Sequence, residues 1–573
     1  MKRKEIKRKH IKKSVNNYLR SKDHVFNEDV TDEDGNYFLG ILNVLREEEN
    51  DDAEGKELLA RNVMDYTRGR EITLASHQIA SKVIENLLEY CNEVTLGEYQ
   101  DAFKQDIRTL CANRFSSHVL EKLISLSATR FLTNSAEGSN PPEKKIKEEA
   151  EVDPGEKCKL FVETCSKFLL NNMEDFVWDP YANHVIRTCL KSLSGQMDEK
   201  LSFPGVPEEW GDVVKEYASR LRDWPFFVDF PYQELTSGLL QTLTVALARI
   251  DKSALKSIGG FFTQPQNTED PVEENKEEAA EDAENPSKLH KLFTTESSIR
   301  FLEVLIGVAG KKLFSKIFLR LFQGNLKELS LMKSANFCVQ KILDNMKEKE
   351  ELSSCFTELD AHTGEILQNG YTGVILSLCQ ACRRLEINQH QFIRSLKRAL
   401  NCQKEGNFAL CVLKLKPQEM VAEDTSTFVH IHGSLIVQEM LKFRKPIDVI
   451  QSILTIPPDQ LVNLLNTAKG SFLVDAFFAS PHVGEKSRVS FVNHLIGFFI
   501  DLAINKFGSR SIERLFEASS SELRCKIIAE LAEKINKLQS TPFGFIVSKK
   551  LHVAEYKQNA KRWNSIYNKG HKK

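Results

Sequence analysis

Ser509, Arg510 and Glu513 stand within the stretch NKFGSRSIERLF, residues 505–516. On a helix, residues three and four apart share a side. Ser509 and Glu513 then point the same way with Arg510 beside them, while Ile512, Leu515 and Phe516 form an apolar face. Two hydrogen-bonding side chains four apart reach one base edge, and a flat group between them stacks on a base face. A Ser/Glu pair offers acceptors to the N–H groups of guanine; an Asn/Gln pair offers the mixed edge that uracil needs. Stacking contributes about 1–3 kcal/mol per base in single-strand binders. Polar residues are also the default on a solvated helix face, so one copy decides little.

The stretch recurs. Ser81/Lys82/Glu85 lie in IASKVIENLL, Ser117/His118/Glu121 in FSSHVLEKLI and Asn183/His184/Arg187 in YANHVIRTCL. Asn336/Phe337/Gln340 lie in NFCVQKIL and Ser434/Leu435/Gln438 in GSLIVQEML. Ser509/Arg510/Glu513 and Asn336/Phe337/Gln340 are the fullest guanine-type and uracil-type sets. Lys82 and Leu435 are weak stackers, and Arg187 stands where an edge reader is usual, suited to a phosphate. Ser237/Gly238/Gln241 has no stacker. Further copies depart more: Ile299/Arg300/Glu303, Thr372/Gly373/Leu376, Asn407/Phe408/Cys411, Ser471/Phe472/Asp475 and Phe545/Ile546/Lys549.

Other chemistry is thin. GVAGKKLF (307–314) has a Gly-Lys pair without phosphate-loop spacing and reads as ordinary helix. Cys379 and Cys382 form a C-x-x-C inside an apolar helical run, which reads as a buried reduced pair, not zinc. His430 and His432 lack metal-spaced partners and read as a helix start. DVTDEDG (29–35) has Val30 and Ile41 at the first and twelfth positions of a calcium loop, where acids are required. No enzyme, metal or cofactor is expected.

The positioning elements are helical. From Tyr37 onward apolar residues recur at threes and fours with little strand-like alternation. The first trio positions are mostly 35 to 38 residues apart, with a short step from Asn407 to Ser434, read as a trimmed repeat. Such a period means stacked helical repeats, none able to hide its apolar face alone. Residues 133–157 and 263–288 are rich in Pro, Asn, Glu and Lys and read as disordered insertions. LSFPGVPEEW (201–210) reads as a loop.

The net charge of −2 hides segregation. Residues 1–13 carry +7, residues 557–573 carry +6 and residues 269–286 carry −8, leaving −7 for the rest. The basic ends, within tails at 1–34 and 557–573, suit nuclear import or attraction to RNA; the body alone does not argue for nucleic acid. Twelve scattered cysteines without framework spacing fit a reduced intracellular compartment. The most apolar run, residues 495–500, is too short to span a membrane.

The recurring five-residue motif resembles the pumilio (PUF) repeat over roughly residues 37–556, and the degenerate trios, insertions and basic ends resemble its divergent nucleolar branch. The resemblance implies an all-α, curved α-solenoid of about eleven repeats, in segments 35–132, 158–262 and 289–556. It implies a nucleolar, monomeric protein that binds small-subunit pre-rRNA through the trios, works beside pre-ribosomal assembly factors and guards the RNA from premature processing. The alternatives are a helical-repeat scaffold for proteins and a pumilio protein of the large subunit or of mRNA.

Overall fold

The computed structural model describes residues 31–47, 53–136, 153–198, 201–264, 289–402, 406–424 and 426–567. Among these residues every regular element is helical; a lone bridge pairs Gln196 with Ser202. The chain forms two compact units, Met1–Lys316 and Ile317–Lys573, and each is a stack of three-helix repeats.

In the first unit the trio-bearing helices are α1 (Ala80–Leu87), α2 (Ser116–Ala136), α3 (Pro180–Leu193), α4 (Glu234–Ile250) and α5 (Glu296–Val308). In the second they are α6 (Asn336–Asn345), α7 (Thr372–Leu385), α8 (Ile431–Met440), α9 (Phe472–Ala479), α10 (Gly508–Glu517) and α11 (Pro542–Lys550). A longer and a shorter helix generally precede each; Glu93–Phe103 and Ile107–Ala112 lead into α2. Within each unit, consecutive trio helices pack side by side.

Local chemistry starts these helices. Asn113, Asp179 and Asn505 each accept from the backbone N–H groups two and three residues on, an Asx turn that orients the first helical turn. The apolar stripe then goes inward: Val119, Leu120, Leu123 and Ile124 of α2 are fully buried. Each such side chain contributes about 1.5–3 kcal/mol. Neighbouring repeats also cap one another. Glu358 accepts from Gly324 N (2.9 Å) and Leu326 N (2.6 Å), and Glu530 from Gly497 N (2.7 Å) and Phe499 N (2.8 Å). Negative charge is favourable at such helix N-termini. At the opposite ends, Arg130 donates to Cys91 O and Arg384 to Leu343 O and Met346 O.

Several sequence expectations change here. The Asn407 copy is not a trio. α7 packs directly on α8, whereas Phe408–Lys414 packs on Ile447–Leu454, as the short helix Phe499–Ala503 packs on Ser521–Glu533. Phe408 and Cys411 are buried, unlike any stacker and edge reader. The short step is thus the distance from a short helix to its own trio helix, stretched by an insertion between Lys414 and Ile431. That insertion is pinned by Lys414, whose Nζ donates to Asp424 O (3.0 Å) and Ser426 O (2.8 Å). Eleven trio helices remain among the described residues.

Helix ends also cut into the expected insertions and tails. α2 runs to Ala136 and the next helix starts at Pro154, so of residues 133–157 only 137–152 lie outside the described residues. Likewise 265–288 lie outside them, as do residues 1–30 and 568–573. The C-terminal tail is partly folded: Trp563 is buried in Ala560–Ile566, donates to Leu551 O (3.2 Å) and meets Phe516 edge-on. GVAGKKLF is a break between helices Glu296–Val308 and Lys311–Ile317, not one helix. Residues 208–210 of the expected loop begin the helix Glu208–Arg222. His430 does start a helix, its ring nitrogen accepting from His432 N.

The N-terminal boundary moves too. Asp34, assigned to the tail, is buried within helix Asp32–Glu47 and takes two hydrogen bonds from Arg70 (3.1 and 3.0 Å) and one from Tyr66 (2.8 Å). The Arg70 guanidinium, with Thr31 and Tyr66, holds its carboxyl well below the usual carboxylate range. A carboxyl depressed on folding adds stability above its unfolded pKa, near 4, which is lost as pH falls from there toward the folded value. Asp34→Asn is therefore expected to cost about 1–2 kcal/mol at pH 7, modest because Arg70 keeps access to water. Melting curves should show the gap to the parent closing below about pH 4.

Candidate nucleic-acid interface

The trio positions follow one burial pattern. Ser81, Ser117, Asn183, Ser237, Ile299, Asn336, Ser434 and Ser471, all first positions, are buried. The second residue is exposed in nine of eleven repeats: Lys82, His118, His184, Arg300, Phe337, Leu435, Phe472, Arg510 and Ile546. The glycines 238 and 373 are the other two. Third residues Glu85, Glu121, Arg187, Gln340, Gln438 and Glu513 are half-buried.

Most polar first residues are bound to backbone. Ser81 Oγ bonds Gln78 O, Ser509 Oγ bonds Lys506 O, Asn183 Nδ2 bonds Val177 O, and Asn336 Nδ2 bonds Met332 O and Lys333 O. Ser237 Oγ and Ser434 Oγ cross to the next repeat, donating to Ser297 O and Lys469 O, each at 2.7 Å. These carbonyls lie two residues ahead of the next first position, so both bonds latch repeat to repeat. Thr372 Oγ1 meets the equivalent residue, His432, through its ring nitrogen at 2.7 Å. Where the third residue is Gln, it donates back to the first: Gln241 to Ser237, Gln340 to Asn336 and Gln438 to Ser434.

Within each unit successive trios adjoin. In the first, Thr188 donates to Glu121 (2.7 Å), and Arg187 lies against Gly238 and reaches Thr242 (3.4 Å). In the second, Gln340 lies against Gly373, Asp475 pairs with Arg510 (3.7 Å) and Arg514 (3.8 Å), and Lys550 donates to Glu513 (2.6 Å). The third residue thus meets the residue one past the next third position in four cases: Thr188, Thr242, Arg514 and Lys550. Nothing in the five-residue motif marks those bridging residues. Their signal lies in the position that follows it.

The second positions carry cations, imidazoles and exposed apolar groups, and no carboxylate. Partial desolvation, then Arg187, push the His184 imidazole below its ordinary pKa, leaving a neutral ring for stacking. Arg510 stacks on Phe472 at 5.2 Å from the ring centroid. A base between them needs about 7 Å, two base rises, so Arg510 must move for a base to enter. Cys379 and Cys382 are buried, and burial pushes the Cys382 thiol up to about 12, which disfavours the thiolate a metal needs.

A family model described as the NOP9-like PUF repeat domain matches residues 69–202 and 236–545. Nucleolar protein 9 of Mus musculus is 26% identical over 568 residues, covering 92% of this chain and 87% of its own. Pumilio homolog 23 of Arabidopsis thaliana is 24% identical, covering 94% of this chain and 73% of its own. The solved structure of APUM23-GGAUUUGACGG shares the fold at a TM-score of 0.72 and 21% identity, over 94% of this chain and 100% of that one. The relatives called Nucleolar protein 9 put the chain in the nucleolus, as the resemblance implied. On the length of the family match, this chain belongs to the NOP9-like PUF repeat family.

Proposed function

We propose that this protein binds pre-rRNA of the small ribosomal subunit and shields it from premature cleavage. Its family is one of pumilio-like RNA-binding repeat proteins, and the oligonucleotide in APUM23-GGAUUUGACGG contains uridine and is RNA. One observation carries the reading: nine second positions are exposed, stand on helices that pack side by side within each unit, and include no carboxylate. A face built for basic protein segments would need acid there. The aromatic, histidine and arginine second residues stack, Glu121, Gln438 and Glu513 meet base edges, and the buried first residues hold the repeats in register. Occupancy of the RNA by a monomer, beside other assembly factors, excludes nucleases without any chemical step.

The test is nuclease footprinting of full-length protein on labelled small-subunit and large-subunit pre-rRNA fragments at physiological salt. Protection confined to small-subunit fragments is expected, with log affinity falling linearly in log salt. Equal protection of both would remove the small-subunit assignment, and absence of retention would remove RNA binding itself.

A further inference from the structure

Two repeats lack a second side chain, and in both the same substitute stands in its place. An ideal Cβ on Gly238 would lie 3.0 Å from Arg187 Nη1 and 3.2 Å from its Cζ. One on Gly373 would lie 2.6 Å from Gln340 Oε1 and 2.8 Å from its Cδ and Nε2. In each unit, then, a planar group from the third position of the preceding repeat lies on the glycine where a stacker would stand. Elsewhere the third residue behaves differently: Asp475 meets Arg510 from the side and Arg510 keeps its place over Phe472.

We infer that α3–α4 and α6–α7 are steps at which RNA passes without base readout, with Arg187 and Gln340 acting as fillers. Two losses coincide at each step. No side chain at Gly238 or Gly373 offers a plane to a base, and the edge-reading group of the preceding repeat is drawn across the gap. Arg187 is held there by its bond to Thr242 and Gln340 by its bond to Asn336. A nucleotide at such a step is held by its backbone alone, so its identity is free. This rests on the RNA-binding reading and specifies where along each unit sequence is read.

The experiment enriches an RNA from a randomised pool with the full chain, then replaces each nucleotide of its footprint by an abasic one. At steps whose second residue is aromatic, histidine or arginine, abasic replacement should weaken binding about 5-fold or more through lost stacking. Interior positions changing less than 2-fold are expected at the glycine steps. Gly238→Tyr supplies a plane by displacing only the flexible tip of Arg187, and should make one tolerant position sensitive by about 5-fold. Gly373→Tyr should convert another. Gly238→Ala adds no plane and should keep the parent pattern. Uniform sensitivity along the parent footprint, or tyrosine variants that fold and leave its tolerant positions unchanged, would overturn the inference. If a tyrosine variant fails to fold, the parent scan decides alone. Failure to enrich any RNA would overturn the RNA-binding reading, a result distinct from uniform sensitivity.

Discussion

Gly470→Ala is expected to destabilise the second unit by about 3 kcal/mol, the upper end of what overpacking costs. The added Cβ would stand 2.1 Å from Leu464 O and 2.8 Å from its carbonyl carbon. Both belong to backbone at the end of helix Pro458–Leu465, which cannot step aside as a flexible side chain does. The same approach recurs: a Cβ at Gly433 would meet Val412 O at 2.2 Å, one at Gly508 would meet Leu502 O at 2.6 Å, and one at Gly544 would meet Leu538 O at 1.9 Å. The first unit handles the equivalent carbonyl in another way. Ser116 Oγ donates to Leu110 O and Thr236 Oγ1 to Phe230 O, both at 2.9 Å. Removing that hydroxyl in Ser116→Ala should cost only about 1 kcal/mol, one neutral hydrogen bond. Denaturant titration followed by helicity separates the two, since the glycine variant should open a distinct early transition. A Gly470→Ala protein that unfolds with the parent would show that the short helix shifts freely, and the close approach would lose its meaning.

The four glycines explain why the repeat was legible and also where the reading failed. The apolar stripe of α2 or α10 announces itself in sequence because Val119, Leu120, Leu123 and Ile124, or Ile512, Leu515 and Phe516, fall at helical spacing. NFALCVLK offers the same local pattern, and only packing reveals that Phe408–Lys414 sits in the place of Pro458–Leu465. Gly433 settles it, approaching Val412 O as Gly470 approaches Leu464 O. The insertion behind the short Asn407 step, residues 415–430, is not low in complexity; Val421 and Val429 are buried and Lys414 is tied down inside it. Composition finds chain that cannot fold, and this segment does fold. Burial of the first trio residue was illegible for a related reason. Ser237 and Ser434 are polar, so only the neighbouring repeat's carbonyl shows that they face inward. The second residues were legible as an exposed stripe because helical spacing alone sets them on the outer side.

That division of roles sets the largest effect on binding. Phe337→Ala and His118→Ala should each weaken RNA binding by about 1–3 kcal/mol, the measured range for a base–aromatic stack. In affinity this is about 5- to 150-fold apiece. Phe337 is 56% exposed and His118 is also exposed, so truncation opens no cavity and melting should stay within about 0.5 kcal/mol of the parent. Ser434→Ala should do the opposite, removing an inter-repeat latch at about 1 kcal/mol of stability while barely altering affinity. Salt separates stacking from charge. Losing Phe337 should shift the whole log-affinity line without tilting it. If Ser434→Ala costs more affinity than Phe337→Ala, the first residues read bases after all and must leave their carbonyl partners to do so. The RNA would then have to open the repeat latches on binding, and hydrogen exchange at the start of α9 would rise in the complex instead of falling.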